Sequence, residues 1–145
     1  MKFFVPGRPV PKARPRFGGG AVYTPAKTAA YERLVRLCYL QAGGECLSGA
    51  LCVRIRAFYR PGKEMLKEIK KTPTEAHRMT SRPDVDNIAK SVLDALNGVA
   101  YEDDKQIDTL TVSKEYTDGE QGIEVEINGA DTQGTFLGGD DDKDS

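Results

Sequence analysis

The chain has 145 residues, 39% of them apolar, which suits one compact domain and leaves little apolar material for a second core. It contains no run of about 18 apolar residues able to span a bilayer, and its opening Met1–Pro6 lacks the apolar core of a secretory signal, so a cytoplasmic location is expected. The net charge is only -1, yet residues 1–82 carry 17 Lys and Arg against 5 Asp and Glu, while residues 83–145 carry 4 against 17. Such a split suits a polyanion docking on the basic half and cations held by the acidic half, beside the plainer reading of two differently solvated faces.

Residues 3–5 form an apolar run ended by Pro6-Gly7 and are predicted to be a first strand. Residues 6–25, PGRPVPKARPRFGGGAVYTP, read as a long arm or loop. Thr24-Pro25 supplies a helix cap, and a helix is expected from Ala26 to Gln41 with Tyr31, Leu34, Val35, Cys38 and Ala42 on its buried face. Residues 50–59 alternate as a half-buried strand, and 63–71 as a short amphipathic helix. Residues 72–82 read as a basic connection and 84–97 as a second long helix. Residues 107–117 and 122–128 read as strands joined by a turn at 118–121. The domain is expected to span residues 1–129, with 130–145 a disordered acidic tail. Cys38, Cys46 and Cys52 have no paired spacing and read as reduced, mostly buried thiols.

Chemistry concentrates in RPDVDNIAKSVLDALNGVAYEDDKQID, residues 82–108. At about 100° per residue, Asp86, Lys90 and Asp94 fall within about 80° of arc, opposite Ile88, Val92, Leu93, Ala95 and Leu96. Taken alone, that stripe reads most simply as a solvated face with i,i+4 ion pairs. Asp84 at the helix mouth and the cluster Glu102-Asp103-Asp104 after the helix shift the weighing. Carboxylates converging at a helix end repel one another unless a cation joins them. Oxygen ligands in small number suit magnesium, with manganese as a substitute. A calcium loop of the EF-hand type fails, because Ile88 and Ala89 stand where an oxygen ligand and a glycine are required. His77, the only histidine, reads as a surface residue and supports no catalytic triad. In the arm, Arg8, Lys12, Arg14 and Arg16 lie among prolines, followed by Phe17 and Tyr23. Guanidinium groups can grip phosphates and aromatic rings can stack on bases, although an ordinary Pro-rich loop has the same composition.

The block from Arg82-Pro83-Asp84-Val85-Asp86-Asn87-Ile88-Ala89-Lys90 through Leu93-Asp94-Ala95-Leu96-Asn97-Gly98 to Asp103-Asp104-Lys105-Gln106-Ile107 resembles the RusA family of Holliday junction resolvases. The opening Val5-Pro6-Gly7-Arg8-Pro9, with Lys12, Arg14, Arg16 and Tyr23-Thr24-Pro25, is similar to the start of that family's members, especially those carried by prophages. The likeness runs over roughly residues 3–128. It implies an α+β fold, a small mixed sheet packed against two main helices, in a homodimer. It implies magnesium-dependent, paired symmetric nicking of four-way junctions in DNA recombination and repair, with no organic cofactor and no membrane partner. It places the metal-binding aspartates on Asp84, Asp86 and Asp104 and the essential lysine on Lys90, with Asp94 and Asp103 as further acidic matches. The alternatives are a nuclease of the same fold acting on flaps or other phage replication intermediates, and a non-catalytic junction-binding module.

Overall fold

Strict alternation decides the middle of the molecule. In LCVRIRAFY, Val53, Ile55, Ala57 and Tyr59 are buried while Arg54, Arg56 and Phe58 are half-exposed, so this segment has one wet and one dry face. The computed structural model describes residues 1–13, 16–18, 21–23, 26–73 and 75–129, with 16–18 and 21–23 described as backbone alone. The chain runs β1 (Lys2–Pro6), β2 (Arg16–Gly18), β3 (Ala21–Tyr23), α1 (Ala26–Gln41), β4 (Leu51–Tyr59), α2 (Lys63–Lys70) and β5 (His77–Arg78). It continues as α3 (Val85–Leu96), a 3-10 turn (Asp104–Gln106), β6 (Ile107–Tyr116) and β7 (Gly122–Gly129).

Five strands form one mixed sheet in the order β1-β7-β4-β6-β5, with β4 parallel to β6 and the other pairs antiparallel. Its dry face carries Phe3, Val5, Val53, Ile55, Ile123, Val125 and Ile127. Helix α1 packs on β1 and on α3, and α3 packs on β6. Burial of each such Val, Ile or Phe side chain contributes about 1.5–3 kcal/mol. The wet face is charged: Glu124 pairs with Lys2 at 3.2 Å and with Arg56 at 3.5 Å, and Arg56 reaches Glu115 at 3.7 Å. The fold is therefore mixed α+β, with a sheet against two main helices as expected. No helix among the described residues is long and apolar enough to cross a membrane.

Four expectations need correction. The 6–25 segment is not one continuous arm, because β2 and β3 form an antiparallel hairpin with Phe17 opposite Val22. The density of proline and glycine hid two short β-prone triplets. The basic connection at 72–82 contains β5, which pairs with the end of β6, and His77 there is half-buried, its Nε2 lying 3.0 Å from the Thr72 carbonyl. Helix α1 buries Thr28 and Tyr39 with Tyr31 and Val35, while Leu34 and Cys38 are half-buried and Ala42 is exposed. Tyr39 draws that face round by stacking edge-on against Phe3, ring centres 5.3 Å apart. Of the thiols, only Cys52 is buried and Cys46 is exposed. The turn after β6 does join it to β7, but β4 lies between the two strands. The turn thus crosses the end of β4, with the Thr117 amide donating to the Tyr59 carbonyl at 2.8 Å. The Thr24-Pro25 cap and the 130–145 tail lie outside the described residues.

Candidate active site

Helix α3 divides as its sequence suggests except at Leu93, expected on the core arc but half-buried and lining a cleft with Asp86 and Lys90. Seven residues make roughly two full turns and return Leu93 to the side of Asp86. Ile88, Ala89, Val92, Ala95 and Leu96 are buried; Asp86 and Lys90 are exposed on the other side. Asp84 occupies the N-cap in extended geometry, yet its carboxylate makes no capping hydrogen bond. An aspartate at that position ordinarily satisfies a first-turn amide, so these oxygens remain available for another role. The segment before the helix, with its cis Arg82–Pro83 peptide, is held to the sheet by Lys114. The Lys114 ammonium donates to the carbonyl of Pro83 at 2.7 Å and to that of Ser81.

After α3 the chain turns back through a buried Tyr101, whose hydroxyl donates to the Leu93 carbonyl at 2.8 Å. Burial, reinforced by the charges of Asp104 and Asp94, pushes that hydroxyl well above its ordinary range. Asp103 then caps the 3-10 turn, its Oδ1 accepting from the Lys105 amide at 2.9 Å. This amide is the main reason that the Asp103 carboxyl sits below its usual value. The Gln106 carboxamide joins the turn to residues 47–49: Oε1 accepts from the Glu102 and Asp103 amides at 2.9 and 3.2 Å, and Nε2 donates to the Leu47 and Gly49 carbonyls at 3.1 and 3.0 Å.

These elements enclose an open cleft of about 510 Å³ between α3 and β6. Asp86, Lys90, Asp94 and Asp104 line it together with the apolar side chains of Leu110 and Val112. Asp84 instead lines an adjoining opening of about 750 Å³ with Lys12, Arg82 and Asn87. Asp103 lines a third, with Cys46, Glu102 and Lys105. Asp86, Lys90, Asp94 and Asp104 thus come together, Asp84 stands beside them, and Asp103, although its carboxyl lies against that of Asp104, lines a separate opening. Among the described residues, no three Asp, Glu, His or Cys side chains stand close enough to hold one ion as a set. The donors on the cleft are carboxylates, with no imidazole or thiolate among its lining residues. Carboxylate oxygens of this kind suit a hard divalent cation that takes only one or two protein ligands and retains water.

The stripe on α3 is not a ladder of i,i+4 ion pairs. Asp94 pairs with Lys12 at 3.2 Å, and Lys12 also pairs with Glu32 at 2.6 Å. Lys90 makes no salt bridge among the described residues. Its ammonium therefore lines the cleft with no carboxylate of the described residues within bonding distance.

The basic arm is more structural in its first half than its composition suggests. Lys12 is largely enclosed, its side chain 14% exposed, and its backbone amide donates to the Asn87 carbonyl at 2.9 Å. Desolvation pulls its pKa down, but hydrogen bonds to Glu32 and Asp94 and their charges outweigh it and raise the value. Arg8 donates to Gln121 Oε1 at 3.0 Å and lies over the Tyr59 ring at 5.0 Å. Both residues brace the arm, a use that reading them as phosphate contacts overlooked. Arg14 lies outside the described residues, and Arg16, Phe17 and Tyr23 are placed on the hairpin by their backbone alone.

Lys114, Tyr101 and Gln106 were not singled out from the sequence. Lys114 did leave a signal. It shares strand parity with Leu110, Val112 and Tyr116 and lies opposite the buried Ala57, a position where a lysine requires oxygen partners. The profile of the family described as Endodeoxyribonuclease RusA matches residues 6–128. A Bacillus subtilis (strain 168) protein named Uncharacterized protein YqaN is 38% identical over 136 residues, covering 88% of this chain and 94% of its own. The family match runs from Pro6, the last residue of β1, to Asn128 in β7, so it takes in α1, α2, α3, the cleft and the sheet apart from most of β1, and the chain belongs to the RusA endodeoxyribonuclease family.

Proposed function

We propose that the protein is a magnesium-dependent, structure-specific endonuclease that resolves four-way DNA junctions by paired symmetric nicks, acting as a homodimer in recombination and repair. The observation that carries this reading is the cleft in which Asp86 and Asp104, from two different elements, lie beside Lys90, which makes no salt bridge among the described residues. Family membership supplies the endodeoxyribonuclease chemistry. Asp86 and Asp104 would hold the ion, with Asp84 joining from the helix mouth, where its oxygens make no cap. When bound, magnesium lowers the pKa of a coordinated water and supplies a hydroxide nucleophile near neutral pH.

The protein groups supply the remainder. Lys90 places a positive charge where the scissile phosphate gains negative charge in the transition state, or orients the attacking water. Lys12 keeps Asp94 neutralised, so that Asp94 adds less repulsion to an incoming phosphate. Arg14 and Arg16 on and before the hairpin hold phosphates of the branch, and Phe17 and Tyr23 stack at the crossover. A two-fold dimer would present two clefts to a two-fold substrate. Incubation with labelled four-way junction, flap and duplex, in magnesium and in EDTA, tests this. Nicking of the junction at two symmetric positions in magnesium alone is expected. Preferential flap cutting would favour the replication-intermediate reading, and binding without cutting would favour a junction-binding module.

A further inference from the structure

We propose that Gln106 is a positioning residue that sets the Asp104 carboxylate against Asp86 across the cleft, an inference that rests on Asp104 being a metal ligand. Asp86 is carried by α3 and Asp104 by the 3-10 turn, so the distance between them depends on how that turn is fastened. Tyr101 fastens the preceding segment to α3 through the Leu93 carbonyl. Gln106 fastens the turn in the other direction, to the chain that leads into the central strand β4.

Its carboxamide has two N–H donors and two acceptor lone pairs, and all four are engaged. Two consecutive amides of the acidic turn donate to Oε1, and Nε2 donates to two carbonyls of residues 47–49. The orientation of the amide is unique, since a flip would set N–H against N–H and carbonyl against carbonyl. Gly49, at φ 80°, turns its loop so that its carbonyl can accept. Few other side chains can join two amides to two carbonyls with no net charge. A carboxylate would repel both carbonyls, and an aliphatic chain would leave all four groups to water. Asp103, one residue before Asp104, is further held by its own capping bond to Lys105. The Asp104 backbone is thereby clamped on both sides while its side chain turns to the cleft. Groups that orient a metal ligand typically change ion affinity by 10–100-fold when removed.

Gln106→Met, neutral and of similar volume, tests this in the full chain. Manganese is titrated while the broadening of the Asp86 and Asp104 amide signals is followed by NMR. The dissociation constant is expected to rise about tenfold, and kcat for junction nicking to fall while KM for DNA holds. An unchanged manganese affinity in Gln106→Met, with weakened affinity in Asp104→Asn, would overturn the role of Gln106 and leave the metal reading standing. An unchanged affinity in Asp104→Asn would overturn both. The unsubstituted protein gives a second readout, needed if Gln106→Met does not fold. An ion that depends on this clamp must in turn stabilise it, so the Glu102 and Asp103 amides should exchange more slowly in magnesium than in EDTA. Equal exchange rates in the two conditions would also overturn the proposal.

Discussion

Lys90 and Lys12 show how two lysines facing one helix can do different work. Lys90 projects from α3 with no carboxylate paired to it among the described residues, whereas Lys12 is enclosed between Glu32 and Asp94. Lys90→Ala is expected to fold and bind DNA normally and to cut at least about 100-fold more slowly, the typical effect of removing one group aimed at transition-state charge. Single-turnover cleavage beside binding by gel shift checks this; a normal rate would return Lys90 to a solvated surface role. Lys12→Ala should instead lower stability by about 3 kcal/mol, since it leaves two partly buried carboxylates without their cation. Urea unfolding measures that loss, and a change within about 0.5 kcal/mol would mean that the three charges are better solvated than their enclosure implies. The sequence placed Asp86, Lys90 and Asp94 on one face because helical spacing alone determines this. It could not pair Asp94 with Lys12, because that ion pair joins residues 82 positions apart. The division of labour between Asp103 and Asp104 was hidden for a similar reason: it depends on which carboxylate the Lys105 amide engages.

At the scale of elements, the strongly periodic segments were legible and the irregular ones were not. Helix α1 matched its expected bounds, and β1, β4, α2, α3, β6 and β7 fell within a residue or two of theirs, because each has a period that burial enforces. The hairpin β2–β3 and the two-residue β5 were missed, being too short to show any period. The pairing order escaped as well, since insertion of β4 between β6 and β7 is a long-range choice. The proposed DNA contacts fall on and just before this hairpin. Replacing Arg14 and Arg16 together by Ala should flatten the slope of log affinity against log salt by roughly 0.9 for each phosphate that is no longer neutralised. Junction and duplex binding across a salt series measures it, and an unchanged slope would remove this segment from the docking surface. The 130–145 segment is rich in Gly and Asp and poor in apolar residues. Its deletion is expected to leave the thermal midpoint and the cleavage rate unchanged; a fall in either would show that it packs or regulates.

For the molecule as a whole, the charge asymmetry of the sequence takes on a spatial meaning. The acidic half contributes α3, the 3-10 turn and β6, which form the carboxylate wall of the cleft and its apolar side. The basic half contributes the arm and hairpin, with Lys12 crossing over to neutralise Asp94. Cleavage would then depend on the cation that offsets the acidic wall, and DNA binding on the basic half, so the two properties should separate on mutation. The most direct measurement compares Asp86→Asn, Asp104→Asn and Asp103→Asn on a labelled four-way junction in magnesium, with binding measured in parallel. The proposed function gives metal-holding to the first two, which line the cleft, while the third makes a capping bond. Asp86→Asn and Asp104→Asn are predicted to bind the junction and not cut it, and Asp103→Asn to retain most of its rate. Normal cutting by Asp86→Asn or Asp104→Asn would contradict the assignment of the active site to this cleft.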